Sequence, residues 1–151
     1  MHIRRALIVD TESVYELIDM YAVQGQLLHR TRQSIYEHLQ CFYVAVDDVK
    51  RIMGVASLHI LDRDLAEIRS LVVLPGMALK GIGRALVDAL VKEATILGIP
   101  RVIALTYQDG FFEKCGFVKI NKETLSQKIW KDCLHCSKYN NCDEIAMQIM
   151  V

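Results

Sequence analysis

The strongest constraint on the fold is a predicted helix that begins near residue 82, after a loop with two glycines. Its apolar side chains recur at the spacing of one helical face: Ile82, Leu86, Leu90, Ala94 and Leu97. Gly98 and Pro100 then end the helix. The runs "LAEIRSLVVL" before the loop and "RVIAL" after the helix are short and apolar, which is typical of strands. The chain therefore contains a strand–loop–helix–strand unit at its centre.

The segment upstream of this unit predicts two helices and a hairpin. A short extended segment, "HIRRALIVD", precedes a helix for which Asp10 and Thr11 are N-cap candidates, and Gly25 breaks that helix. Thr31 caps a second, shorter helix that directs Ile35 and Leu39 inward. "CFYVAVDDVKRIMGVASLHILD" is typical of a hairpin with its turn at 47–48, and "LAEIRSLVVL" extends it to three strands.

Downstream, the pattern predicts one more helix and two more strands. The helix covers residues 108–114, and the strands are "GFVKI" and "EIAMQIM". With no repeat or linker, residues 1–151 are predicted to form one α+β domain.

Charge and hydropathy exclude several classes of partner as a default. Lysine plus arginine and aspartate plus glutamate number 18 each, so no net field favours nucleic acid or an anionic membrane. No run reaches the roughly 18 uncharged apolar residues of a membrane span. The start "MHIRRALIVDTESVYEL" lacks the apolar core of a signal peptide. We expect a cytoplasmic protein with a small-molecule substrate, and leave a homodimer open.

The loop before the central helix has the properties of an anion site. Gly81 and Gly83 allow the backbone to approach a ligand closely, and the first turn of a helix presents N–H groups to anions. Lys80 and Arg84 add positive charge there. The alternative is a tight strand-to-helix turn that needs glycine only for its geometry.

The flanking segments make the pattern more specific. "EIRSLVVLPGMALKGIGRALVDALVKEA", followed by "VIAL" and "FFEKCGF", resembles the GNAT superfamily of acetyl-CoA-dependent N-acetyltransferases. The resemblance covers essentially the whole chain and implies the GNAT fold, a central mixed, mostly antiparallel sheet flanked by helices. "GQLLHRT", "DLAEIRSLVV", "LTYQDGFFEKCGF" and "KIWKDCLHC" further resemble the short, single-domain N-acetylglutamate synthases of arginine biosynthesis. These transfer acetyl from acetyl-CoA to the α-amine of glutamate.

The resemblance implies a set of residues that hold acetyl-CoA as co-substrate. The pyrophosphate would lie on the loop backbone of Lys80, Gly81, Ile82, Gly83 and Arg84. The pantetheine arm would pair with the strand backbone at Leu71, Val72 and Val73, and the far side would be lined by Phe111 and Phe112. The family has Arg or Gln where Ala78 stands, and usually Gly at Leu79, so we expect a working but weakened loop.

The reaction also needs a base, and its leaving group can use an acid. Glu67 stands where many GNAT enzymes place a glutamate base that acts through water; otherwise it is a surface carboxylate. The tyrosine that often protonates the departing thiolate is replaced by Phe112, and Tyr107 is the substitute candidate.

Arginines are the natural partners of the two carboxylates of glutamate. Arg30 matches an arginine of the short-synthase pattern, and Arg69 shares a strand face with Glu67. Arg4 and Arg32 are weaker candidates, and a solvated surface arginine is the alternative for each.

Three of the five cysteines lie close together near the end of the chain. "DCLHCSKYNNCD" contains Cys133, Cys136 and Cys142, and C-x-x-C is a common spacing for zinc ligands. His135, Asp143, Cys115 and Cys41 are candidates for a fourth ligand. Reduced thiols packed under a loop, or a redox-labile pair, are the alternatives to structural zinc.

Three functions other than glutamate acetylation stay open at this point. The chain could acetylate another small amine or a protein N-terminus. The departures at Ala78, Leu79 and Phe112 also fit a non-catalytic CoA-binding regulatory module. The cysteine cluster alone would fit a redox or metal sensor.

Overall fold

The computed structural model describes residues 1–77, 80–125 and 144–151. Within these residues the strands are β1 His2–Arg5, β2 Phe42–Val46, β3 Ile52–Asp62, β4 Leu65–Val73, β5 Arg101–Thr106, β6 Val118–Ile120 and β7 Ile145–Met150. The α-helices of the same ranges are α1 Thr11–Ala22, α2 Arg32–Glu37, α3 Ile82–Leu97 and α4 Asp109–Lys114. No helix in the described ranges has the length and apolar character that crossing a membrane requires.

The strands of the described chain form one seven-stranded sheet in the order β1-β2-β3-β4-β5-β7-β6. Every neighbouring pair is antiparallel except β4 and β5, which run parallel. A parallel pair needs a crossover connection, and α3 supplies it. The prediction of a mixed, mostly antiparallel sheet flanked by helices is therefore confirmed.

Local signals placed most helix ends, with two corrections. The Thr31 side chain accepts a hydrogen bond from the Ser34 amide at 3.0 Å, so it caps α2 as predicted. Asp10 precedes α1 but its side chain does not cap that helix; it accepts from the Leu7 amide at 2.7 Å and pairs with Arg4. Leu39 lies beyond α2, in a short 3-10 turn, because the helix ends at Glu37.

The helices cover opposite faces of the sheet. Alternation along β2 directs Phe42, Val44 and Val46 into the apolar cluster under α1 and α2, whereas Ala45 belongs to the cluster under α3. A third, smaller apolar cluster surrounds Leu65 and Ile103.

Strand β4 contains an irregularity that opens the sheet. Val72 pairs with Val55, but Arg69 pairs with Ser57, so two residues of β4 stand opposite one residue of β3. This is a β-bulge, and Ser70 in it has a left-handed φ of 55°. The ladder between β4 and β5 covers Ala66–Ile68, and the two strands separate beyond it. The opening therefore lies beside residues 71–73.

Candidate active site

A strip of polar side chains lies between two apolar clusters on the α1–α2 face of the sheet. Ala66 and Ile68 pack under α3, so alternation directs Glu67 and Arg69 to the opposite face. Side chains paired across a ladder share a face, so Ser57 lies beside Arg69, and His59 beside Glu67. Ser57, His59 and Glu67 are all buried. Because buried polar groups are costly unless they are bonded, this strip is the candidate active site.

Glu67 is a buried carboxylate held by a guanidinium. Arg69 donates from Nε to Glu67 Oε1 at 2.6 Å, and Glu67 is only 6% exposed. The interpretation of Glu67 as a solvated surface carboxylate is therefore wrong. The ion pair with Arg69 orients the Glu67 side chain, which lies on the same face of the sheet as Arg30.

Arg30 reaches this face from the connection between α1 and α2. It donates from Nη2 to Ser34 Oγ at 3.1 Å, and its guanidinium carbon lies 5.2 Å from the centre of the Phe42 ring. Burial, followed by the charge of Arg69, lowers the pKa of Arg30. Its Nε is buried and has no hydrogen-bond partner among the described residues. A buried donor left unbonded costs about 1–3 kcal/mol, so this side chain is poised to receive an acceptor group.

His59 and Ser57 were missed by the sequence analysis. His59 Nε2 lies 3.0 Å from Ser57 Oγ, and the Ser57 hydroxyl donates to the Arg69 carbonyl at 2.9 Å. Burial lowers the pKa of His59 to about 3, with smaller contributions from Arg69, Arg30 and His38. The imidazole is therefore neutral at physiological pH. The alternation of Ser57 and His59 was the available signal, but it carries weight only once the register with β4 is known.

The other arginines are engaged elsewhere. Arg4 binds Asp10 through both terminal nitrogens, at 2.7 and 3.1 Å. Arg32 also binds Glu12 through two hydrogen bonds, from Nε and Nη2, both at 2.8 Å, and its guanidinium carbon lies 3.9 Å from the Tyr15 ring centre. These ion pairs give neither arginine a role in the polar strip.

The loop before α3 has the geometry that a pyrophosphate site requires. Gly81 has φ 77° and directly precedes the helix, whose first-turn N–H groups have no intrahelical carbonyl to bind. A Cβ on Gly83 would lie 3.2 Å from the Phe111 ring, so glycine here lets the start of α3 pack closely against that ring. Lys80 and Arg84 are exposed beside these glycines. The residues present therefore fit an anionic cofactor group.

The free edge of β4 meets the opening beyond Ile68. The Leu74 amide donates to Met53 of β3 at 2.7 Å, so alternation directs the polar backbone of Val73, and of Leu71, away from β3. Val72, in contrast, pairs with Val55 and is directed toward β3. The Tyr21 hydroxyl donates to the Val73 carbonyl at 2.7 Å and so connects α1 to this edge.

The aromatic candidates differ in their surroundings. Phe111 is partly buried against Gly83, at the start of α3. Phe112 is 4% exposed and stacks edge-on against Phe117 with ring centres 5.0 Å apart, which places it in the core. Tyr107 is partly buried just after β5. Because β4 and β5 are parallel, their C-terminal ends lie together, so Tyr107 is at the same end of these two strands as the opening.

Two groups of sequence candidates lie outside the described residues. These are Ala78 with Leu79, and the cluster of Cys133, Cys136 and Cys142. In the ranges that are described, no group of three or more His, Cys, Asp or Glu side chains is arranged to hold a metal. Burial raises the pKa of both Cys41 and Cys115, so each is a thiol at neutral pH.

The chain is similar in sequence to known proteins. The model of the Acetyltransferase (GNAT) family matches residues 6–117. The chain is 39% identical to an uncharacterized N-acetyltransferase of Chlorobaculum tepidum, covering 96% of this chain and 93% of the relative. It is 35% identical to an amino-acid acetyltransferase of Mycobacterium tuberculosis, covering 91% and 79% respectively.

Solved structures are similar over the whole chain. A Mycobacterium tuberculosis protein in complex with CoA and a second ligand superposes with a TM-score of 0.89 at 30% identity, covering 100% of this chain and 99% of that one. The N-acetylglutamate synthase of Neisseria gonorrhoeae, complexed with coenzyme A and N-acetyl-glutamate, gives 0.87 at 28% identity. That match covers 99% of this chain but only 34% of the synthase.

Proposed function

Because this chain belongs to the GNAT family of acetyltransferases and is an acetyl-CoA-dependent N-acetyltransferase, we propose that it acetylates the α-amine of an amino acid, L-glutamate. Two relatives support an amino-acid acceptor: the amino-acid acetyltransferase of Mycobacterium tuberculosis and the synthase complexed with N-acetyl-glutamate. Glutamate acetylation would place the reaction in arginine biosynthesis.

The observation that carries the proposal is the half-buried side chain of Arg30, whose Nε is fully buried. It lies close enough to Arg69 for the two charges to act on each other, and its Nε has no acceptor in the described part of the chain. The Glu67 carboxylate neutralises one of these two cations, so one positive charge remains, which an anionic group of the acceptor would neutralise. A dicarboxylate amino acid would supply two such anions, and guanidinium groups bind carboxylates through paired hydrogen bonds.

The acceptor must lose a proton before it reacts, because an α-ammonium has no lone pair. In the proposed mechanism Glu67 takes this proton through a bound water and is held in place by Arg69. The neutral amine then attacks the thioester carbonyl, a C–N bond forms, and the C–S bond breaks. As the amide forms, the nitrogen loses its second proton to water. CoA leaves as a thiolate, which takes a proton from Tyr107 or from water, so that one proton is released overall.

The protein holds the second substrate on the other side of the opening. Acetyl-CoA supplies the electrophilic thioester carbonyl. The backbone of Lys80–Arg84 would bind its pyrophosphate, and Leu71 and Val73 would pair with its pantetheine arm. Phe111 would line the far side, with Phe112 supporting it from the core.

A thiol-release assay tests the proposal. The full-length protein is incubated with acetyl-CoA and, separately, with glutamate, glutamine, aspartate, a polyamine and a peptide with a free N-terminus. We expect the highest kcat/KM with glutamate, because it is the only acceptor of this panel chosen to have both an α-carboxylate and a γ-carboxylate. Equal or higher kcat/KM with glutamine, the polyamine or the peptide would contradict the assignment.

A further inference from the structure

The buried side chains of Ser57 and His59 form a one-way chain of hydrogen bonds that ends on β4. A carbonyl oxygen can only accept a hydrogen bond, so the Ser57 hydroxyl must donate its single proton to the Arg69 carbonyl, 2.9 Å away. Toward His59, at 3.0 Å, Ser57 Oγ must then be the acceptor. His59 therefore carries its proton on Nε2.

The chain of hydrogen bonds ends directly before the bulge. Arg69 is followed by Ser70, whose φ of 55° is unfavourable for a residue with a Cβ. Such a conformation persists only when the surrounding structure holds it. Ser57 holds the carbonyl on one side of Ser70, and the pairing of Val72 with Val55 holds the strand on the other.

The bulge determines which face of the sheet Leu71 and Val73 are on. Before it, Glu67 and Arg69 face the α1–α2 side; after it, Val72 faces that side, and Leu71 and Val73 join the α3 cluster. A shift of the main chain at Arg69 would move its guanidinium, and with it Glu67, to which it is bonded at 2.6 Å. A buried serine hydroxyl needs only its bond to the Arg69 carbonyl to be satisfied, and that bond does not require a histidine next to it.

We propose that Ser57 and His59 are a positioning pair that fixes the main chain of β4 at Arg69, and so sets the places of the Arg69 guanidinium and the Glu67 carboxylate against the acceptor. This rests on the proposed function only in placing the acceptor on this face, and it holds for whichever amine is acetylated. Neither residue contacts the reacting atoms in this arrangement.

The test separates the acceptor side from the cofactor side. The loss of one hydrogen bond changes an equilibrium constant by about fivefold. We therefore expect Ser57→Ala to raise KM for the acceptor by about that factor, whereas KM for acetyl-CoA should stay within about twofold of wild type. The control is Thr95→Ala, which removes a hydroxyl that also donates to a main-chain carbonyl, that of Val91, but on the exposed side of α3. It should change neither KM.

Two variants of His59 test its part in the chain. His59→Phe keeps an aromatic ring, a somewhat larger one, but removes both ring nitrogens, and should raise acceptor KM as Ser57→Ala does. His59→Gln places an amide donor near the position of Nε2 and should recover most of the loss. An equal rise with Gln and Phe would overturn the role of the hydrogen bond.

A second readout does not depend on catalysis. Hydrogen exchange of the peptide that spans residues 65–74 should be faster in Ser57→Ala than in wild type, and unchanged in Thr95→Ala. The proposal is overturned if exchange there is unchanged, or if both KM values rise together. The kinetics use the best acceptor of the thiol-release panel, so a failure of glutamate as the acceptor contradicts the proposed function alone.

Discussion

Single residues decide the charge at the proposed acceptor site. Arg30 and Arg32 are two positions apart in the sequence, yet Arg30 is half-buried and within electrostatic range of Arg69, whereas Arg32 is exposed in an ion pair with Glu12. Because an exposed ion pair is largely screened by solvent, the half-buried guanidinium of Arg30 offers the stronger interaction to an anionic ligand. The pair of arginines therefore provides an internal comparison.

Arg30→Ala should raise KM for glutamate by about ten- to a hundredfold, since hydrogen bonds to charged groups contribute roughly 1.5–3 kcal/mol. KM for acetyl-CoA should change little. Arg32→Ala is the matched control and should leave both KM values near wild type. Steady-state kinetics with each substrate varied at saturation of the other make the comparison, and equal effects of the two variants would contradict a carboxylate site at Arg30.

At the scale of elements, the site depends on how α3 meets the strands around it. The start of α3 is packed against Phe111 of α4 so closely that Gly83 has no room for a side chain on that side. The same packing keeps the helix N-terminus beside the opening between β4 and β5. In contrast, Gly110 in α4 has no atom within 4 Å of its ideal Cβ position among the described residues.

Gly83→Ala and Gly110→Ala should therefore differ in sign. Alanine in place of glycine stabilises a helix by up to about 1 kcal/mol, and Gly110→Ala should show this gain. At Gly83 the contact with Phe111 at 3.2 Å should outweigh the gain, so that the variant is less stable than wild type, and the displaced ring should raise KM for acetyl-CoA several-fold. Urea denaturation and initial rates measure the two effects. A stability gain at Gly83 with unchanged KM would show that Phe111 yields without consequence for the cofactor site.

At the scale of the whole molecule, a buried neutral histidine links folding to pH. Burial and the charges of Arg69 and Arg30 lower the pKa of folded His59 to about 3, against 6.5 for an ordinary histidine. The other titratable side chains near it are His38, with ring centres 5.8 Å apart, and Glu67, its register partner. Between about pH 3 and pH 6.5, His59 therefore binds a proton in the unfolded chain but not in the folded chain.

The sign of the effect follows from proton binding. His59 contributes its full share of stability above about pH 6.5, and that share is lost as the pH falls from 6.5 toward 3. Across this window the unfolding equilibrium constant should rise by up to about tenfold per pH unit from this residue. Urea denaturation at pH 7.5 and pH 5.0 should show a smaller acid loss for His59→Gln than for wild type. His29→Gln, at an exposed position, should keep the wild-type loss; an identical loss in all three proteins would mean that folded His59 titrates normally.

Much of the fold could be predicted because its signals are local. The helical period of α3 from Ile82 to Ala94, the glycine that ends the helix and the Thr31 cap each act over one or two turns, and the structure places them as predicted. Leu97, predicted on the same apolar face, is instead 51% exposed at the end of the helix. Glu67 and Arg69 could be proposed together because alternation puts neighbours two apart on one face. Ser57 and His59 could not, because their connection to Arg69 depends on the register between β3 and β4.

The sequence by itself determined the α+β class, the order of the elements, the family resemblance and a loop suited to an anion, because periodicity, capping and glycine geometry are properties of short segments. Only the tertiary structure decided which polar side chains share the buried face. A bulge at Ser70 reverses the alternation of β4, and the packing of Arg30 over the Phe42 ring brings its guanidinium within electrostatic range of Arg69. Burial then makes an ordinary histidine neutral and leaves the Arg30 Nε without a described partner, and burial is a property of the assembled fold and not of any segment.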